Sequence, residues 1–296
     1  MPDLHFDRPP GVLPAYLRAA ARGRTGAPGR PLPGRRAVLP EVSADPARLA
    51  RYAEVCGTRP DGFLPPAYPH LLAFPAALAL MTAADFPLPL LGLVHTANSL
   101  TLHRPIGAGE RLALEVRTDR LRPHPRGTAF DVAAVARTAG GGEEVWASRS
   151  TYLHRHGDGR AAPGAPGAPG GSPGPAVPGP AALPDGSGPW QVPAATGRRY
   201  AAVSGDRNPI HLHPWAARPF GFRRAVAHGM WTKARVLAAL GPGLPGSAEV
   251  VVAFRTPLLL PGTVRLAVGG CGGRREFALT SADGTRTHLA GSVTPR

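Results

Sequence analysis

The residues best suited to chemistry lie in one stretch, Tyr200 to Met230, which reads YAAVSGDRNPIHLHPWAARPFGFRRAVAHGM. Between Gly186 and Ala248, Asp206 is the single carboxylate, set among seven arginines and Lys233. Surrounding positive charge favours the ionised form of a carboxyl, so Asp206 is expected as a carboxylate. His211 follows five residues later, across Asn208-Pro209, a pair that cannot continue a helix and favours a turn. Such a turn brings carboxylate and imidazole towards one point, where they can share a water as a general acid/base pair. Taken alone, the spacing better fits an Asp that clasps its own turn and a His that binds a backbone carbonyl. His213 and His228 supply further imidazoles, but their spacing with Asp206 and His211 follows no zinc pattern, and no metal is expected.

These residues need a frame. From Ala161 to Pro189 the chain is almost wholly Pro, Gly, Ala and Ser. It has too little apolar surface to offset backbone ordering, so residues 157–190 are expected as a disordered linker. The linker separates a front part, 1–156, from a back part, 191–296. In the back part a helix over Ala227–Leu240 stops at Gly241-Pro242. Four strand-like stretches follow it, Ala248–Arg255, Val264–Val268, Arg274–Thr280 and Thr287–Val293. In the front part Pro75–Ala84 predicts a helix with proline near its first position. Strands are expected after it at Leu93–Leu102, Arg111–Arg117, Ala129–Arg137 and Glu144–Leu153. One helix and then four strands, twice over, is an α+β pattern with a helix against antiparallel sheet in each half.

A local repeat supports duplication: Tyr52-Ala53-Glu54-Val55-Cys56-Gly57 returns as Tyr200-Ala201-Ala202-Val203-Ser204-Gly205, at a constant offset of 148. At that offset Asp206 falls on Thr58 and His211 on Phe63. Neither can replace a carboxylate–imidazole pair, so one active site per chain is expected, in the back half. The first 40 or so residues, rich in Arg and Pro, are read as a flexible arm leading into the first strand.

Composition narrows the function classes. The chain has 296 residues and a formal charge of +15, from 34 basic against 19 acidic residues. Lys233 is the only lysine, and the arginines are scattered with few aromatics between them to stack bases. Nucleic acid is therefore not expected as the partner. No apolar run reaches the ~18 residues of a membrane span, and no leader pattern opens the chain. With only Cys56 and Cys271 there is no disulfide scaffold, and a cytoplasmic protein is expected.

The ordered set Tyr200-Ala201, Ser204-Gly205-Asp206, Asn208-Pro209-Ile210-His211, Gly221-Phe222 and Ala227-His228-Gly229-Met230 resembles the signature of the MaoC-like, or hydratase-2, dehydratases. The match covers the first third of the back half. The resemblance implies a double hot-dog fold, two antiparallel sheets each wrapped around a central helix and packed as a pseudo-dimer. It implies a catalytic unit at 191–296 and a degenerate unit at 1–156 that accommodates the acyl group, with Tyr68 to Met81 as its apolar lining. The implied reaction is reversible syn hydration of a trans-2-enoyl thioester to the (R)-3-hydroxyacyl thioester. Asp206 and His211 would share the water. Gly229, with an unpaired N–H at a helix N-terminus, would face the developing oxyanion. Ser204 and Asn208 would hold the loop, His228 would stand beside it, and Arg223 and Arg224 would meet the phosphates of coenzyme A or of an acyl-carrier-protein phosphopantetheine arm. No cofactor beyond that carried by the substrate is implied, and the assembly would be a monomeric pseudo-dimer or a homodimer. The alternatives are a hot-dog thioesterase and a non-catalytic acyl-thioester-binding subunit.

Overall fold

The structure, a computed structural model, describes residues 2–22, 30–155, 188–241, 244 and 246–296. The expected linker thus lies outside the described residues up to 187, and Trp190, its last residue, already opens a strand.

The front part runs β1 (Leu4–His5), α1 (Val12–Arg22), β2 (Arg36–Val42), α2 (Pro46–Cys56), α3 (Pro69–Met81), β3 (Val94–Leu102), β4 (Leu112–His124), β5 (Gly127–Thr138) and β6 (Glu144–Arg155). The back part runs β7 (Trp190–Val192), α4 (Thr196–Ser204), α5 (Pro209–Leu212), α6 (Pro214–Ala217), a single 3-10 turn, α7 (Gly229–Leu240), β8 (Ala248–Phe254), β9 (Gly262–Gly269), β10 (Arg275–Ser281) and β11 (Thr287–Pro295). The described strands form one sheet in the order β1-β2-β4-β5-β6-β3-β8-β11-β10-β9-β7. Read inward from its two ends, β2-β4-β5-β6-β3 matches β7-β9-β10-β11-β8 strand for strand. The two halves meet where β3 and β8 pair antiparallel, from Ala97 opposite Ala253 to Leu102 opposite Ala248. This is the double hot-dog arrangement, α+β with a large antiparallel sheet.

All eight expected strands are present, several of them longer than their apolar pattern. The front helix differs in register. It begins at Pro69 rather than Pro75, and Pro75 sits inside it. Every residue of α3 except His70 is buried, so tertiary packing on all faces outweighs the one hydrogen bond that an internal proline forfeits. In the seam, the only lysine of the chain is wholly buried on α7. Lys233 Nζ donates to Asn98 Oδ1 on β3, and the Asn98 amide in turn donates to Ser148 Oγ at 2.9 Å and Ser150 Oγ at 3.0 Å. Burial pushes its ammonium well below the usual lysine range.

The repeated hexapeptides close α2 and α4 in the same way. Gly57 and Gly205 both take the left-handed conformation (φ 71° and 80°), and their N–H groups donate to Ala53 O and Ala201 O. Tyr52 and Tyr200 then meet across the halves, with ring centroids 6.4 Å apart. Of residues 1–40, expected as a flexible arm, the described ones instead carry β1, α1 and most of β2. Packing against α3 orders this segment. Val12, Ala15, Tyr16 and Ala19 fall on one helical face, and Ala15 packs with Phe74 and Leu78 of α3.

Candidate active site

Immediately after Gly205 the chain leaves α4 in a tight turn. The Asp206 N–H donates to Ser204 Oγ at 3.1 Å, and Asp206 Oδ1 accepts the N–H of Asn208 at 3.1 Å. Pro209 then starts α5 at its first position, where a missing N–H costs nothing. Half a turn later His211 points back. Its Nδ1 lies 2.7 Å from Val226 O, so Nδ1–H donates there and Nε2 keeps its lone pair. His228, just before α7, places Nε2 3.0 Å from Asp206 O and 3.9 Å from Asp206 Oδ2. The His211 and His228 rings stack with centroids 3.7 Å apart. One side-chain donor atom from each of Asp206, His211 and His228 lies within 4.8 Å of the others.

Burial works to raise the Asp206 carboxyl, but His228, His211, the Tyr16 hydroxyl and the Asn208 N–H favour the carboxylate more strongly and hold it below the usual range. Burial also drives both imidazoles down. His211 titrates below the usual range against the opposing pull of Asp206, and His228 falls to about 3. At neutral pH the arrangement is a carboxylate beside neutral imidazoles. Two acceptors that grip one water by its two hydrogens stand about 4.5 Å apart at normal hydrogen-bond lengths, and the 4.8 Å limit on this cluster admits such a water.

The trio opens on a cavity that Ser204, Asn208 and Gly229 also line. Gly229 is the first residue of α7 and receives no side-chain cap from His228, so its N–H has no intrahelical acceptor. A Cβ there would meet three Phe254 ring atoms at 3.1 to 3.2 Å. The far wall comes from the front half: His70, Leu71, Phe74, Leu78 and Met81 of α3, with His95 and Tyr152 from its strands. Of the expected 68–81 lining, these five residues reach the cavity, and one of them is an imidazole rather than an apolar group. Arg223 and Arg224 do not line it. Both are exposed, and Arg224 donates to Pro261 O at 2.9 Å. The arginines on the cavity wall are Arg126, Arg155 and Arg255, all exposed. They come from strand ends and a turn far apart in sequence, and no local pattern marks them.

Two further residues escaped sequence reasoning. Tyr16, on α1, donates to Asp206 Oδ1 at 2.8 Å, across 190 residues of chain. Gly197, in the first turn of α4, has no space for a side chain, because a Cβ would lie 2.0 Å from His211 O. Its local signal was a lone glycine in a helix, which by itself suggests only a weak helix.

A carboxylate and an imidazole with a free nitrogen, on a cavity shared by two hot-dog units, can chemically add or remove water as a general acid/base pair. Comparisons with known proteins agree. Residues 179–287 match the model of the MaoC-like domain. The chain is 36% identical over 285 residues to 3-hydroxyacyl-thioester dehydratase X of Mycobacterium tuberculosis, covering 96% of this chain and 98% of that one. The crystal structure of that protein, HtdX, superposes with a TM-score of 0.76 at 34% identity, over 88% of this chain and all of the other. A shorter stretch, 68 residues at 35% identity, matches the (R)-specific enoyl-CoA hydratase of Aeromonas caviae, covering 23% of this chain and 51% of that enzyme. The chain belongs to the MaoC-like dehydratase family.

Proposed function

We propose that this chain catalyses the reversible hydration of trans-2-enoyl thioesters to (R)-3-hydroxyacyl thioesters through Asp206 and His211. One observation carries the reading. With Asp206 Oδ1 and His211 Nδ1 engaged, Oδ2 and Nε2 are the acceptors left to the pair, and both residues line one cavity. A water held by both presents its oxygen to C3 of the enoyl group. As the C3–O bond forms, a water proton passes to the pair and a proton from the pair reaches C2. The electron pair displaced towards the thioester oxygen is met by the Gly229 N–H, aided by the positive end of α7. Dehydration is the same path reversed. The names of the relatives, dehydratase and hydratase of acyl thioesters, support this direction of chemistry.

The front half serves as the acyl-accommodating wall, since α3 of that half lines the cavity and carries no counterpart of the pair. Arg126, Arg155 and Arg255, exposed beside the cavity, suit the phosphates of coenzyme A or of a phosphopantetheine arm. No further cofactor enters the scheme, and one chain, working in the cytoplasm, supplies a complete site as a pseudo-dimer.

The test is incubation with crotonyl-CoA. Loss of the enoyl absorbance without release of free thiol is expected, and Asp206→Asn should abolish it. Release of thiol would assign a thioesterase. Undiminished turnover by Asp206→Asn would move the chemistry elsewhere.

A further inference from the structure

Helix α1 has no counterpart among the described residues of the back half, yet it reaches the reacting carboxylate. We propose that Tyr16 is a positioning residue for the hydration: its hydroxyl holds one oxygen of Asp206 so that the other is turned to the water. The inference rests on the reading of Asp206 given above. The Tyr16 hydroxyl donates its only hydrogen to Asp206 Oδ1 at 2.8 Å and accepts the Arg207 N–H at 3.0 Å. That second bond fixes the rotor, so the phenol cannot donate elsewhere. The Asn208 N–H also goes to Oδ1, at 3.1 Å. With both donors on Oδ1, Oδ2 is left for the water and the imidazoles.

The helix is seated firmly enough to do this. Ala15 and Ala19 are buried, and Ala15 and Tyr16 pack with Phe74 and Leu78 of α3. Val12 stands against the Gly205 turn, where a Cβ would come 3.3 Å from its Cγ2. At the other end the Arg22 guanidinium donates to the carbonyls of Ala83, Ala84 and Phe86. Burial, with the Asp206 carboxylate beside it, keeps the phenol protonated. Asp206 is also faced by His211 and His228, and more distantly by Tyr152, Tyr200, His70 and His95. Of these phenols and imidazoles, none but Tyr16 donates a side-chain hydrogen bond to the carboxylate among the described residues.

Tyr16→Phe keeps the ring and removes the hydroxyl. With crotonyl-CoA, kcat should fall roughly ten- to hundredfold, the range for losing a hydrogen bond to a charged group, and KM should stay within about twofold. The acid limb of the pH profile should move to higher pH, because a donor that favoured the carboxylate is gone. Tyr16→Gln, which restores a donor, should recover part of both. Leu17→Gln, on the outer face of α1 where Leu17 is 62% exposed, should change neither. An unchanged acid limb in Tyr16→Phe, or a rate loss that only follows a lowered melting temperature, overturns the proposal. A wild-type protein inert towards crotonyl-CoA, or an active Asp206→Asn, overturns instead the reading beneath it.

Discussion

The two halves share one path up to Gly57 and Gly205 and part company within the next six residues. In the back half the glycine leads into Asp206-Arg207-Asn208-Pro209-Ile210-His211, a turn that folds against α4 and returns an imidazole to the carboxylate. In the front half Thr58 to Phe63 runs outward: Phe63 is 48% exposed and bridges to Gly107. The difference extends into the preceding helix. Gly197 lets the His211 carbonyl lie where a side chain would be, and the front residue at the same offset is Leu49. The repeat thus keeps a scaffold of strands and helices, while the turn that brings carboxylate and imidazole together rests on a few positions that permit close approach.

The sharpest way to break this comparison is to treat equivalent positions alike. Asp206→Asn should lower kcat on crotonyl-CoA by roughly a thousandfold or more, in the range for losing a general acid–base group, while Thr58→Asn leaves it unchanged. Equal effects at the two positions would mean that both halves carry chemistry. Gly197→Ala comes next. Its methyl cannot coexist with the His211 carbonyl, so the turn must shift, and a displacement near 1 Å costs about a hundredfold in rate. Leu49→Ala, the front equivalent, should leave kcat nearly intact, and steady-state kinetics with melting curves separates the two.

Acid stability sharpens the comparison differently, because it weights the front wall. His70 is pushed down to about 4, and His95 and His228 to about 3, chiefly by burial. Their unfolded-state value is near 6.5. Between 6.5 and those values the folded state binds fewer protons than the unfolded one. Stability therefore rises with pH across the window and is lost as pH falls below 6.5 towards about 4, at ~1.4 kcal/mol per unit of depression for each group. Melting temperature against pH should show the fall. His95→Phe, between the Tyr152 and Phe254 rings, should flatten it, and an unchanged slope would remove His95 from the account. The smallest effect belongs to the exposed arginines. Arg255→Ala should raise KM for a CoA thioester a few-fold, with kcat unchanged and the difference fading at high salt.

Much of this was legible in the chain. The strands showed in their alternating and apolar runs, α7 in its Gly-Pro stop, and the duplication in the Tyr-Ala-x-Val-x-Gly repeat. Asp206 and His211 stood out through the lone acid and the Asn208-Pro209 turn. The start of α3 did not, since Pro75 reads as a beginning and only packing on every face tolerates it inside. Arg223 and Arg224 were close to the pair in sequence but do not line the cavity, because α6 and the 3-10 turn carry the chain onto the surface before it returns at Ala225.

By itself the sequence determined the local rules: which segments become strands, where helices stop, and that the front positions equivalent to Asp206 and His211 carry Thr58 and Phe63 instead. Periodicity, turn chemistry and residue type act over a few neighbours, and so can be read from them. Which oxygen of Asp206 is free, which groups face it and which arginines border the cavity were decided only when β3 met β8 and α1 settled on α3. Those contacts join residues as far apart as Tyr16 and Asp206, and the burial that holds His211 and His228 neutral, like the partners that keep Asp206 ionised, belongs to the packed molecule and to no short segment of it.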